Sequence, residues 1–359
     1  MRNLHGLFHR RVPGDDALLE LCRLRFAQSG LAAEIYADSP SGMDHELAFV
    51  PSPGSPDRRP LVHLPRHLDL LDDGAVRMVR TMVRHAGDRV AGFVVHDRRH
   101  MPARLPELAR AGEVLSAELA RFGDAWLFLE YAAGNRFDEF TTLARRLASS
   151  GRVGVCIDTG HVGVRAARWA FAARRPDLDV DLIALTGTDA RLPDLLDDVR
   201  AATAQATGAV TRLIRSVATD GTRVHLHLHD GHPLVDGLAD HFGFLGRLAV
   251  PFEVDGRRSL EPMFGPAGLA EILRTVHQSL GDRASATLEI HQGFGRLGLD
   301  AEAAALFGHW GNLTSAEQTN AHLALLSENA ELARAVASSA LGAAVGSGVG
   351  ATVRRGSSG

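Results

Sequence analysis

The chain has 359 residues, 45% of them hydrophobic and 23% charged, which is the composition of a globular protein with a sizeable core and excludes a disordered one. Its 39 basic residues are scattered and outnumbered by 43 acidic ones, so no basic field invites nucleic acid. Two cysteines, Cys22 and Cys156, exclude a disulfide framework and a CxxC metal site, and the start MRNLHGLFHRRVPGDD has no signal-peptide apolar run, so a cytoplasmic protein is expected.

Two short β-like stretches come first, at Leu4–Phe8 and at LAAEIY (31–36), with a helix expected between them over about 16–29. From residue 60 onward apolar runs alternate with segments of helical period: LVHL (61–64), VAGFVVH (90–96), AWLFLEY (125–131), VGVCID (153–158), RVHLHLH (223–229) and ATLEIH (286–291). Eight such units predict an α/β fold, a closed (β/α)8 TIM barrel. A doubly wound sheet is the competing architecture, but neither GxGxxG after an early strand nor GxxxxGK[ST] is present.

The segment from Gly231 to Gly265 is rich in Gly, Pro and His and predicts a long loop after strand seven, on the face where barrels carry function. The barrel is expected over 1–310 and a C-terminal helical extension over 311–345, with its helix near 315–341. The tail GSGVGATVRRGSSG, 346–359, is expected to stay flexible. No apolar run has the length and character of a membrane span.

Nearly every strand ends on a polar residue: His63, His96, Glu130, Asp158, His227 and Glu289, with His161 following in the turn of IDTGH. Side chains alternate along a strand, so His225, His227 and His229 share the interior face while Leu226 and Leu228 face the helices. Glu130 likewise shares its face with Phe128, and Asp158 with Cys156. Each histidine alone reads as a core or surface residue. Acids and imidazoles gathered at one end of a barrel, however, cost several kcal/mol each to desolvate unless a cation or hydrogen bonds compensate. A divalent metal is the simplest compensation, and a mixed set of carboxylates and imidazole suits Mn, Zn, Mg or Co alike.

The runs LFLEYA, VCIDTGH, VHLHLHD and LEIHQG resemble the xylose isomerase-like superfamily, which holds sugar isomerases and epimerases together with type IV apurinic endonucleases. The resemblance covers roughly residues 1–300, and D-x-x-H is its most specific element. It implies metal ligation by Glu130, Asp158, His161, His227 and Glu289, with His63 and His96 at the places where the endonuclease branch adds two histidines. That branch completes a third metal site with a D-x-H before a G-E-G-like helix start. Here the stretch reads SLEPMFGPAGL, with Ser259 and Glu261, and Asp240 and His241 are adjacent, which weighs against a complete trinuclear site.

The expected activity is isomerisation or epimerisation of a small polyhydroxylated carbonyl compound (sugar, sugar phosphate or cyclitol) through an ene-diolate. Glu130 and Glu289 would be base and acid, and His161 would orient a substrate oxygen. His229, Arg258 and His241 are candidates to bind substrate; Arg257, Arg66, His67, Asp230 and His232 read equally well as structural. The alternative is a metal-dependent hydrolase, phosphodiesterase or lyase with a bi- or trinuclear site, endonuclease IV-like activity included. A barrel that has lost catalysis and only binds is disfavoured, because the central acids and imidazole are all present. The expected partner is a small molecule; a homo-oligomer is compatible with the sequence.

Overall fold

A computed structural model describes residues 4–7, 16–50, 58–178, 190–219, 221–234, 241, 243–244, 248–254, 257–260, 262–290 and 315–348. Its elements in chain order are β1 (Leu4–Leu7), α1 (Asp16–Gln28), β2 (Ala32–Tyr36), α2 (Pro40–Phe49), β3 (Leu61–His63), α3 (Asp73–Ala86), β4 (Gly92–His96), α4 (Leu105–Phe122), β5 (Trp126–Glu130) and α5 (Phe137–Ala148). They continue with β6 (Val153–Asp158), α6 (Thr159–Arg174), α7 (Leu192–Thr203), α8 (Ala206–Val217), β7 (Val224–Leu228), β8 (Leu248–Val254), β9 (Arg257–Leu260), α9 (Gly265–Leu280), β10 (Ala284–Leu288) and α10 (Ser315–Gly348).

Eight of the strands close a barrel in the order β1-β10-β7-β6-β5-β4-β3-β2, every pairing parallel. This is the (β/α)8 barrel expected from the alternating pattern, with all eight strands at the predicted runs. The alternation also sorts the faces. Leu127, Leu129, Leu226 and Leu228 are buried outward against the helices in the main core, and each such burial contributes about 1.5–3 kcal/mol. Leu61, Val94, Phe128 and Cys156 form a separate apolar cluster on the inward faces of four adjacent strands. Helix α3 shows how the outer layer meets this core: Ala75, Val79, Met82, Val83 and Ala86 form one buried stripe at helical spacing, and Asp72 caps its start.

The excursion after β7 is not irregular throughout. It contains the antiparallel hairpin β8–β9, paired Leu248↔Leu260, Ala249↔Ser259 and Val254↔Arg257. Helix α10 packs on α9 and α1 and ties down part of the excursion: the buried Asn329 accepts the Phe244 N–H at 2.8 Å and donates to the Leu325 carbonyl at 2.8 Å. The helix runs to Gly348, beyond the expected boundary at 345; the rest of the tail, 349–359, lies outside the described residues. Among the described residues no helix is long and apolar enough to cross a membrane.

Candidate metal centre

Strand register builds the site. Asp158 on β6 lies level with His227 on β7, and His227 with Thr287 on β10. His96 on β4 lies level with Glu130 on β5. Glu289 follows β10 by one residue and is held in line by its N–H bond to the Leu228 carbonyl at 3.2 Å. The result is that Glu130, Asp158, His227 and Glu289, all buried, each offer a ligand atom within 4.8 Å of the others. His227 Nδ1 lies 2.9 Å from Glu289 Oε2 and 3.6 Å from Glu130 Oε2. A second group of the same kind is His63, His96 and Glu130, with His63 Nε2 at 3.1 Å and His96 Nε2 at 3.4 Å from Glu130 Oε2.

The third group is Asp158, His229, His241 and Glu289. His241 arrives from the excursion and stacks on His229, ring centroids 4.1 Å apart, while its Nε2 is 3.7 Å from Glu289 Oε2. The turn Asp158-Thr159-Gly160-His161 serves this corner residue by residue. Asp158 Oδ1 accepts the His161 N–H at 2.7 Å and caps α6. Thr159 Oγ1 donates between the His227 and His229 carbonyls at 3.0 and 3.1 Å. Gly160 is glycine because a Cβ there would lie 1.9 Å from His229 Cε1. His161 faces Asp158 Oδ2 at 3.3 Å from Nδ1 and stands edge-on to His229 and His241.

Two imidazoles carry an informative conflict. A carbonyl only accepts, so the bond of His63 Nδ1 to the Leu64 carbonyl at 2.9 Å and that of His229 Nδ1 to the Asp230 carbonyl at 3.1 Å put the protons on Nδ1. Each neutral ring then turns its Nε2 lone pair onto a carboxylate, Glu130 Oε2 at 3.1 Å and Asp158 Oδ1 at 2.8 Å. Only a second proton or a cation makes such an approach attractive. Among the described residues the ion pairs of Glu34, Glu130 and Asp158 are all to histidine and none to arginine. Asp158 Oδ2 and both His227 nitrogens are buried without a hydrogen bond of good geometry. The donor set therefore fits a divalent cation, which would neutralise these carboxylates where no basic side chain does.

The electrostatics agree. Burial opposes ionisation of Glu130, but His96 and His227 overcome it and hold its carboxyl well below the usual range. Burial likewise works against Asp158, yet His161 and His229 hold its carboxyl low. For His96 burial wins and pushes the imidazole down to about 4, whereas for His63 and His227 burial is outweighed by the neighbouring acidic groups, which raise the first and hold the second well above the usual value, a positive charge that a bound cation would replace.

Several participants carried no clear sequence signal. Glu34, on β2 inside AAEIY, is fully buried, with Oε1 3.1 Å from His227 Nε2. Two residues on, the Tyr36 hydroxyl donates to Glu289 Oε1 at 3.0 Å; burial and then the neighbouring Glu289 raise its phenol well above the ordinary value and keep it a donor. The period-two spacing of Glu34 and Tyr36 was the available clue. Asp97, next to His96, accepts from the Ala132 and Ala133 N–H groups at 2.9 and 2.5 Å and from Asn135 Nδ2 at 2.7 Å, fixing the turn after Glu130.

Of the sequence candidates, Glu130, Asp158, His227, Glu289, His63 and His96 come together, with His161 at the rim. His229 and His241, expected to touch substrate, are buried and lean on Asp158 and Glu289. Asp230 accepts the Gly231, Phe264 and Gly265 N–H groups at 2.8, 3.1 and 2.7 Å, a structural anchor for the start of α9. Arg66 and His67 are exposed. Arg257 and Arg258 lie on β9 with side chains outside the described residues, as are Asp240 and Glu261. No family model matches the sequence, and no curated protein matches it. Fold and site thus define a (β/α)8 barrel whose carboxyl-terminal face, where barrels of this fold commonly carry enzymatic sites, holds buried His/Asp/Glu clusters that could bind a metal ion.

Proposed function

We propose that the protein is a metal-dependent isomerase or epimerase of a small polyhydroxylated carbonyl compound (a sugar, sugar phosphate or cyclitol), as its resemblance to the xylose isomerase-like superfamily implies. The observation that carries this is the group Glu130, Asp158, His227 and Glu289, three acids and an imidazole from four strands with ligand atoms within 4.8 Å. A divalent ion there (Mn, Zn, Mg or Co) would supply the Lewis acidity that stabilises an ene-diolate. Glu130 and Glu289 both approach His227 Nδ1, at 3.6 and 2.9 Å, and are the groups to take a proton from one carbon and return it to the neighbouring one. Tyr36 holds Glu289 through Oε1, leaving Oε2 toward the cluster. His161 and His96 keep 20% and 18% of their side chains exposed, unlike the sealed His227, and are placed to meet substrate oxygens. All 39 basic residues of the chain are arginine, so a lysine Schiff base is not an available route to the same products.

A second reading rests on the adjacent His63–His96–Glu130 group, which offers a second cation position sharing Glu130. Two or more ions would suit a hydrolase, phosphodiesterase or lyase, endonuclease IV-like activity included, with water as the nucleophile. The test combines elemental analysis with incubation of the loaded protein in D2O with aldoses, ketoses, their phosphates and cyclitol ketones. One ion per chain and deuterium at the carbon next to the carbonyl support the isomerase. Two or three ions with cleavage of phosphodiesters favour the second reading, and no ion after any reconstitution removes both.

A further inference from the structure

Glu34 is a fully buried carboxylate that neither proposed reaction uses. Burying such a group costs several kcal/mol unless its oxygens are committed to partners. Its Oε2 is committed from below: Thr287 Oγ1 donates its only proton to that oxygen. Thr287 must then accept from His225 Nε2 at 3.0 Å, and His225 Nδ1 in turn accepts from Ser285 Oγ at 2.8 Å. The donors and acceptors of Ser285, His225 and Thr287 close on one another and lock Glu34 in place. Its other oxygen, Oε1, faces His227 Nε2 at 3.1 Å.

His227 has a choice to make. A neutral imidazole carries one proton, and both nitrogens look at carboxylates: Nε2 at Glu34, Nδ1 at Glu289 and Glu130. The two sides differ. On the Nδ1 side Asp158, Glu130 and Glu289 converge on a common point, whereas on the Nε2 side Glu34 is pinned by the hydroxyl beneath it. A ligating histidine is commonly oriented by a carboxylate on its far nitrogen, which also raises its basicity.

We propose that Glu34 is the positioning residue of this site: its Oε1 takes the Nε2–H of His227, so that His227 offers Nδ1 to the cluster it forms with Glu130, Asp158 and Glu289. The two atoms are within hydrogen-bond reach at 3.1 Å but do not meet at hydrogen-bond angle in this structure. The inference rests on the metal reading above, and it has a rival: Glu34, His63 and His227 themselves offer ligand atoms within 4.8 Å, which would make Glu34 a ligand and Nε2 the ligating nitrogen.

The experiment compares wild type, Glu34→Gln and Glu34→Ala in the full chain. Nitrogen NMR of histidine-labelled, Zn-loaded protein, with His227 assigned by its substitution, reads which ring nitrogen keeps its proton; chelator competition with Zn reads affinity. The expected result is an Nε2–H tautomer for His227 in wild type, lost in Glu34→Ala, with Zn bound about 10–100-fold more weakly and stoichiometry unchanged. Glu34→Gln keeps an acceptor oxygen and retains the tautomer with a smaller loss of affinity; it also stands in should the alanine variant not fold. An Nδ1–H tautomer in wild type, disappearance of one Zn per chain in the variants, or unchanged affinity and tautomer in both would each overturn the proposal. If wild type binds no Zn, the metal reading fails and the proposal with it, whereas Zn held through His227 Nε2 leaves the metal reading standing and removes this role from Glu34 alone.

Discussion

Along β3 to β6 the lower and upper inward positions lie on the same strands, two residues apart, and are opposite in character, whereas β2 and β7 carry Glu34 and His225 at the lower level. On β5 the inward positions are Phe128 and then Glu130; on β6 they are Cys156 and then Asp158. The lower layer is packed with Leu61, Val94, Phe128 and Cys156, while the upper layer holds acids and imidazoles that face one another at hydrogen-bonding distance. One pleat repeat, about 6.6 Å along the strand, separates a layer that stabilises the fold from one that burdens it. The difference shows that inward alternation and polarity are independent choices: the first follows from strand geometry, the second from what the face is for.

This contrast can be broken experimentally. The largest effect is expected from the double variant Glu289→Gln/His227→Ala, which should lose its bound metal completely by elemental analysis. Taking one partner out of a buried ion pair costs about 3–5 kcal/mol, and His227→Ala takes the imidazole from Glu34 and Glu130, so the metal-free double variant should also unfold more easily than metal-free wild type. Denaturant unfolding in EDTA checks this, and unchanged metal-free stability would show that the upper layer contributes nothing to the fold without an ion. Phe128→Ala below should cost about 3–5 kcal/mol of stability while leaving metal stoichiometry intact.

Gly160→Ala sharpens the boundary between the layers. Its Cβ would meet the His229 ring, so a loss of about 1–3 kcal/mol is expected from overpacking, together with weaker metal binding as His229 is pushed off Asp158. A smaller effect concerns pH. Burial holds the His232 imidazole down from 6.5 to about 3, and its Nδ1 accepts the Leu234 N–H at 3.2 Å, as only an unprotonated nitrogen can. Between those values the unfolded chain binds the proton and the fold does not, so stability falls as pH drops below 6.5. At pH 5 His232 accounts for about 2 kcal/mol of that fall. His232→Gln should flatten the profile over this range, measured as unfolding free energy against pH; an unchanged slope would mean that His232 is protonated in the fold.

Much of this was legible in one dimension. Runs such as WLFLE and VHLHL have a period of two, which determines which residues turn inward, and eight repeats of strand and helix determine a closed barrel. Glu130, Asp158, His227 and Glu289 announce themselves because a charged residue at the end of an apolar strand has few other uses. Glu34 and Tyr36 did not, since AAEIY is short and its first turn of polarity looks like an ordinary strand edge; they matter only because closure of β1 onto β10 carries β2 within reach of His227 and Glu289. His229 and His241, expected as substrate contacts, are buried beside Asp158 and Glu289, a placement that no local pattern of the sequence foretells. The local pattern of the chain determined its strands, their inward faces and the acids at their ends. Tertiary structure alone decided which of those groups meet, because distances across a barrel depend on closure and stagger, and neither is written in any single segment.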